Sequence, residues 1–252
     1  MTLWEAIAVL VAGVGAGMIN VIVGSGTLIT FPVLLAVGIP PVTANVSNSF
    51  GLVPGSLSGV IGYRRELAGQ GRRLLRLGTA SLLGGLVGAV LLTKLPSSAF
   101  DAIVPVLILL ALVLVVIQPR VAKAVAARRR PGGDPDGGPV LLAGVFLTGV
   151  YGGYFGAAQG VLLMALMGML LQEELQRING VKNALAMIVN AVAALFFLFT
   201  ATVDWTAAGL IAVGSLVGGM LGAKVGRRLP PTALRAVIVV VGLAAVTKLL
   251  MS

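Results

Sequence analysis

SLLGGLVGA, residues 81–89, returns as SLVGGMLGA, residues 215–223, and the Lys94-Leu95-Pro96 after the first copy returns as Arg228-Leu229-Pro230 after the second. The chain is therefore internally duplicated, and each feature of one half has a counterpart to be sought in the other. Gly84, Gly85 and Gly88, like Gly218, Gly219 and Gly222, put small residues on one helix face, where a neighbouring backbone can approach closely. On this reading the motif is a packing surface.

Around the two copies the chain is apolar from end to end. Of 252 residues, 58% are hydrophobic and 10% charged, with a mean hydropathy of +1.06. Soluble chains carry roughly 25% charged residues, and here apolar runs near the ~20 residues of a bilayer crossing recur throughout. An all-α integral membrane protein without a soluble domain is the fold class that follows. The absence of Cys and His removes disulfides, thiolate nucleophiles, imidazole bases and most transition-metal sites. No catalytic residue, metal or cofactor is expected, and the chain is not read as an enzyme. Residues 1–18 are apolar but lack the basic start of a signal peptide, so they read as a retained segment.

The apolar runs divide as 3–23, 28–37, 42–63, 74–95 and 100–117, then 140–158, 161–171, 178–200, 206–225 and 233–250. The halves match segment for segment: residues 1–117 form a first transmembrane repeat and 140–252 a second. Between them, 118–139 holds ARRRPGGDPDGGP at 127–139, charged and rich in Gly and Pro, and reads as a cytoplasmic linker.

Charge placement sets how the repeats are related. The net charge of +10 comes from short loops, where Lys and Arg report topology, and no nucleic-acid partner is expected. Arg64, Arg65, Arg72, Arg73 and Arg76 fill the loop after the third segment, whereas its counterpart is TATVDWT, residues 200–206, with Asp204. The last loop is LPSSAFD (95–101) in the first half and GRRLPPTALR (226–235) in the second. Equivalent loops thus face opposite sides, as an odd number of crossings per half produces, and the repeats are expected to be inverted with both termini outside.

The second segment of each half is too short to cross about 30 Å of hydrocarbon, and a glycine-marked break precedes it: Gly24-Ser25-Gly26-Thr27 and Gln159-Gly160. Broken or re-entrant helices are expected there, with their tips buried, because irregular backbone at membrane depth persists only inside protein or lining a cavity. Paired, interrupted short segments are also the best sequence pointer to a transporter's binding site.

Polar residues within the apolar runs gather at these breaks and on the third segment of each half. Asn20, Ser25, Thr27, Asn45, Ser47, Asn48 and Ser56 belong to the first half, and Tyr151, Tyr154, Gln159, Asn179, Lys182, Asn183 and Asn190 to the second. Singly, such residues serve interhelical hydrogen bonds. As a cluster beside helix starts, amides, hydroxyls and free backbone N–H groups suit a partly dehydrated oxyanion. Lys182 is the one cation within an apolar segment of the hairpin regions; it either snorkels to the headgroups or supplies positive charge to the anion. Asn48 and Asn183 occupy matching positions, with Ser47 opposite Lys182. All eight Asp and Glu residues fall at segment ends or in loops, so no carboxylate relay is expected.

GVGAGMINVIVGSGTLITFPVLLAVGIPPVTANVSNSFGLVPGSLSGVIGYRR at 13–65, INGVKNALAMIVNAVAAL at 178–195 and the two SLxGG copies resemble the sulfite exporter TauE/SafE family, also called the toluene sulfonate uptake permeases. The resemblance implies transport of sulfite, thiosulfate, sulfoacetate or related sulfur-containing anions across a bacterial inner membrane. Gly156 stands where Asn20 stands in the first half, a departure from strict two-fold symmetry.

The expected substrate site comprises Asn20, Gly24, Ser25, Gly26, Thr27, Asn45, Ser47, Asn48, Gln159, Gly160, Lys182, Asn183 and Asn190. The partners are a small anion and the lipid bilayer, with a homodimer left open. A secondary transporter, acting as an exporter by alternating access, is the leading reading. A channel-like anion facilitator and a non-transport membrane assembly module are the alternatives.

Overall fold

The computed structural model describes residues 1–127 and 136–225, with residues 236, 238–241, 243 and 247 beyond them. Among the described residues every regular element is a helix. They are α1 (Leu3–Ile22), α2 (Thr27–Ala36), α3 (Pro41–Gly62), α4 (Arg64–Leu67), α5 (Gly71–Lys94), α6 (Ser97–Ala127), α7 (Gly138–Tyr154), α8 (Gln159–Leu170), α9 (Leu175–Thr200) and α10 (Trp205–Val225). The chain is all-α, as expected. Among the described residues, five helices, α1, α5, the Ser97–Arg120 part of α6, α9 and α10, are long and apolar enough to cross a bilayer.

Helix ends follow local chemistry. At the start of α1, the Thr2 hydroxyl accepts from the Glu5 N–H while the Glu5 carboxylate accepts from the Thr2 N–H, a reciprocal capping box. Pro41 opens α3, where a missing N–H is harmless. α6 runs well past residue 117, because the Ala-rich stretch after Pro119 favours helix, and so takes up the beginning of the segment expected to be a linker. Residues 128–135 of that segment, and most of the expected segment 233–250, lie outside the described residues.

The helices of the two halves are exchanged. α5, from the first half, packs on α7 and α9; α10, from the second, packs on α1 and α3; and α3 and α9 meet in the middle. The duplicated glycine motif makes these exchanged contacts. A Cβ on Gly84 or Gly88 would come within 2.2 Å of the Phe146 carbonyl or 2.1 Å of the Val150 carbonyl of α7, and one on Gly218 within 1.9 Å of the Val14 carbonyl of α1. On their other faces, α5 and α10 expose Leu83, Val87, Leu91, Val213, Val217 and Leu221, as lipid-facing helices do.

α3 has the length to span a membrane but carries Asn45, Ser47, Asn48, Ser49, Ser56 and Ser58, all buried. So polar a helix is placed in the centre, where each of those groups can find a protein partner. The short helices α2 and α8 lie against α1 and α7 respectively. Two hairpins therefore enter the bundle.

Candidate functional site: two helix breaks in backbone contact

α1 ends where Gly24 turns to φ +88°, its N–H folding back to the Ile19 carbonyl at 3.1 Å. α7 ends likewise at Gly156 (φ +76°) and Ala158 (φ +59°), and the Gly156 N–H returns to the Tyr151 carbonyl at 3.1 Å. A left-handed alanine is unusual and costs energy, so packing imposes that conformation on the second break.

The two breaks touch. The Gly160 N–H donates to the Gly24 carbonyl at 3.1 Å, and a Cβ on Gly24 would stand 2.3 Å from the Gly160 Cα. Only glycine on both sides permits this approach. Residues 23–32 and 157–161 are all buried, so the contact is closed to solvent.

Each hairpin is held by the third long helix of the other half. Lys182 of α9, fully buried, donates from Nζ to the Asn20 and Val21 carbonyls at 3.0 and 2.9 Å. Asn183 and Asn179 donate to the same Val21 carbonyl at 3.3 and 3.5 Å. These are the last carbonyls of α1, which have no intrahelical partner, and a cation suits that negative helix end. In the other direction, Asn45 of α3 donates to the Tyr154 carbonyl, the last of α7, at 2.9 Å. One hairpin is thus held by a lysine clamp and the other by a single amide. The Lys182 stem also lies against Gly160, where an added Cβ would be 3.0 Å from its Cδ.

The remaining expected residues divide. Asn48 donates to Thr27 Oγ1 at 3.1 Å and accepts from the Thr30 hydroxyl, which fixes the first turn of α2. Asn20 donates to the Ser56 hydroxyl at 3.1 Å. Ser47 is away from the breaks: its hydroxyl accepts from the Asp204 N–H at the start of α10. Asn190 is half-buried, two turns further along α9 than Lys182 or about 12 Å, and is not gathered at the breaks. Thr30 was not among the expected residues, although its place one turn after Thr27 put it on the same face of α2. The rings of Phe31, Phe100 and Phe155, packed edge-on beside the second break, carry no signal in the sequence that separates them from ordinary core.

Hydrogen-bonding capacity is left over at the breaks. Ser25 Oγ and Gln159 Nε2 are buried without a partner among the described residues, and the N–H groups of Ser25, Gly26 and Thr27 donate to no protein atom there. Buried polar groups are rarely left unmade, and each one calls for an explanation. Among the described residues no cluster of Asp, Glu, His or Cys could hold a metal.

Toward the basic loops the two halves are clasped. Glu173, between α8 and α9, pairs with Arg73 of α5 and with Arg177 of α9, both at 2.9 Å. Arg177 also donates to the Ala68 carbonyl at 3.3 Å, and Gln70 donates to the Arg177 carbonyl at 3.3 Å. Burial opposes ionisation of Glu173, but the Arg73 hydrogen bond, the Glu174 N–H and the two arginine charges outweigh it and hold the carboxyl below its usual range.

This arrangement can be set beside known proteins. The profile of the family described as sulfite exporter TauE/SafE matches residues 9–249. The "Probable membrane transporter protein YfcA" of Escherichia coli (strain K12) is 26% identical over 236 residues, covering 93% of this chain and 86% of that protein. A "Probable membrane transporter protein" of Haemophilus influenzae is 25% identical over 240 residues, 94% and 91% of the two chains. The "Probable membrane transporter protein ORF9" of a Sinorhizobium species is 27% identical over 246 residues, 95% and 90% of the two chains. With the family profile matched across almost its full length, on a bundle of membrane-crossing helices, this chain belongs to the sulfite exporter TauE/SafE family of membrane transporters.

Proposed function

We propose that the chain exports a small sulfur-containing oxyanion, such as sulfite, thiosulfate or an organosulfonate, across a bacterial inner membrane by alternating access. The observation that carries this reading is the buried meeting of Gly24 and Gly160, with unspent donors on both sides of it. An oxyanion is acceptor-only, so free N–H groups at the start of α2, the Ser25 hydroxyl and the Gln159 amide match its needs. Neutral donors suit a cargo that must also be released, because they cost less to leave than a full ion pair. Lys182 caps α1 with its amine and lies next to Gly160, and so biases the site toward anions without binding one directly.

In this proposal residues 1–117 and 140–252 are inverted repeats joined through 118–139 on the cytoplasmic side, with both termini outside. The exchanged packing of α5 and α10 supports it, since each half's helix then holds the hairpin of the other. Substrate entry requires the two breaks to part, and parting toward one side at a time gives alternating access. A channel-like facilitator would need a continuous opening where the Gly24 and Gly160 backbones now touch.

The test is counterflow of labelled sulfite, thiosulfate and sulfoacetate in proteoliposomes, with Ser25→Ala alongside the parent. Ser25 Oγ has no partner among the described residues, so its removal leaves the fold at full stability. Loss of one hydrogen bond to an anion weakens binding about tenfold or more. Saturable exchange accelerated by substrate on the far side, reduced in Ser25→Ala at unchanged stability, is the expected result. Flux without saturation would establish the facilitator instead, and no flux of any of the three would overturn the transport reading.

A further inference from the structure

The outer surface of the bundle carries a groove between α5 and α7 that the transport reading does not use. Its volume is about 650 Å³, and Leu83 of α5 with Leu142, Phe146 and Leu147 of α7 make its walls apolar. The Thr79 hydroxyl, also at its edge, is turned back to the Leu75 carbonyl at 2.6 Å and offers the groove little polarity. One charged group lines it: Arg76, on the second turn of α5.

Arg76 is not explained by packing or pairing. Neighbouring Arg73 is engaged by Glu173 at 2.9 Å and by Asp136 at 3.8 Å, whereas Arg76 makes no ion pair among the described residues. The duplication supplies an internal control. Aligning SLLGGLVGA with SLVGGMLGA puts Leu210 of α10 where α5 has Arg76, and α10 packs on α1 through the same glycines with no cation at that position. Packing of the helix pair does not need the arginine; as one of the basic residues read as lying at the cytoplasmic headgroup level, it stands where an apolar groove meets lipid phosphates.

We propose that this groove is a binding site for one anionic glycerophospholipid of the bilayer, with the headgroup phosphate on Arg76 and an acyl chain along Leu83, Phe146 and Leu147. The chemistry requires both parts. A free phosphate gains nothing from a wall of leucine and phenylalanine, and a zwitterionic lipid brings its own cation close to the guanidinium. Basic pockets between membrane helices select anionic headgroups for this reason. Arg76 lies one to two turns inside the start of α5, a depth from which its long side chain reaches the phosphate layer. The site is distinct from the anion path, because none of the residues that line it belongs to the two helix breaks.

The experiment is native mass spectrometry and thermal unfolding of the full chain in detergent, titrated with phosphatidylglycerol, phosphatidylcholine or inorganic phosphate. The expected result is one retained phosphatidylglycerol, a raised unfolding midpoint with that lipid alone, and no response to inorganic phosphate. Arg76→Gln loses the preference for phosphatidylglycerol, about tenfold or more in affinity, while Arg76→Lys keeps part of it. Leu147→Trp, which fills the groove without touching the charge, abolishes retention of both lipids. Equal retention of the two lipids by the parent, an Arg76→Gln variant that still prefers phosphatidylglycerol, or stabilisation by inorganic phosphate would each overturn the proposal.

Discussion

Gly24→Ala is the sharpest perturbation the structure offers, because two separate costs coincide there and each can be isolated. Alanine at φ +88° costs about 1–2 kcal/mol in conformation alone. Its Cβ would stand 2.3 Å from the Gly160 Cα, a backbone atom that cannot rotate away. Separating the breaks to relieve that overlap costs about 1–3 kcal/mol, and breaking the 3.1 Å hydrogen bond from Gly160 adds about 0.5–1.5 kcal/mol. The sum is roughly 3–6 kcal/mol, a large part of a typical protein's stability. Two controls divide it. Gly38→Ala has the same kind of backbone, φ +84°, with nothing within 4 Å of the added Cβ, and should cost only about 1–2 kcal/mol. Gly160→Ala meets the Gly24 Cα at 2.4 Å without a left-handed φ, and should cost roughly 2–4 kcal/mol. The assay is thermal unfolding of the purified variants, with counterflow in proteoliposomes on those that fold. The expected order of loss is Gly24, then Gly160, then Gly38, with transport impaired in the first two only. A Gly24→Ala protein no less stable than Gly38→Ala would refute the contact between the breaks.

Lys182→Met removes the clamp on α1 while keeping most of the side-chain volume. The Asn20 carbonyl is then left buried and unpaired at about 1–3 kcal/mol, against some relief from no longer burying an ammonium. A lowered unfolding midpoint together with slowed exchange is expected, and parental stability would show that Lys182 does not hold α1. Glu173 has a depressed pKa, so the clasp contributes stability at neutral pH that is lost as pH falls through that lowered value. The midpoints of the parent and Glu173→Gln should therefore differ at pH 7 and converge in acid; a gap that persists in acid would contradict the ion-pair account. Since the chain has no native Cys, single cysteines at positions 72 and 204 report topology, and labelling of both from the same side would end the inverted-repeat proposal.

Composition alone made the bilayer the solvent, because no soluble core can use so many apolar residues, and apolar runs bounded by Gly, Pro and charge placed helix ends within a few residues for most segments. The interrupted stretches at Gly24 and Gln159-Gly160 were also visible, since a helix too short to cross must be broken and a broken helix must be buried. What the linear pattern could not hold was which half each group serves. Asn48 stays with its own half and fixes α2, whereas Asn45, one turn earlier on the same helix, reaches across to the end of α7. Lys182 reads in sequence as a snorkelling anchor or a charge awaiting an anion, yet the fold brings the end of α1 to its Nζ, because carbonyls at a helix C-terminus need donors and the chain beyond Gly24 turns its own away. Ser47 and Asn190 match the polar pattern as well as any residue, but tertiary packing points the first at Asp204 and leaves the second two turns away. The periodicity of a helix fixes which residues share a face, and only the exchange of helices between the halves decides what that face meets.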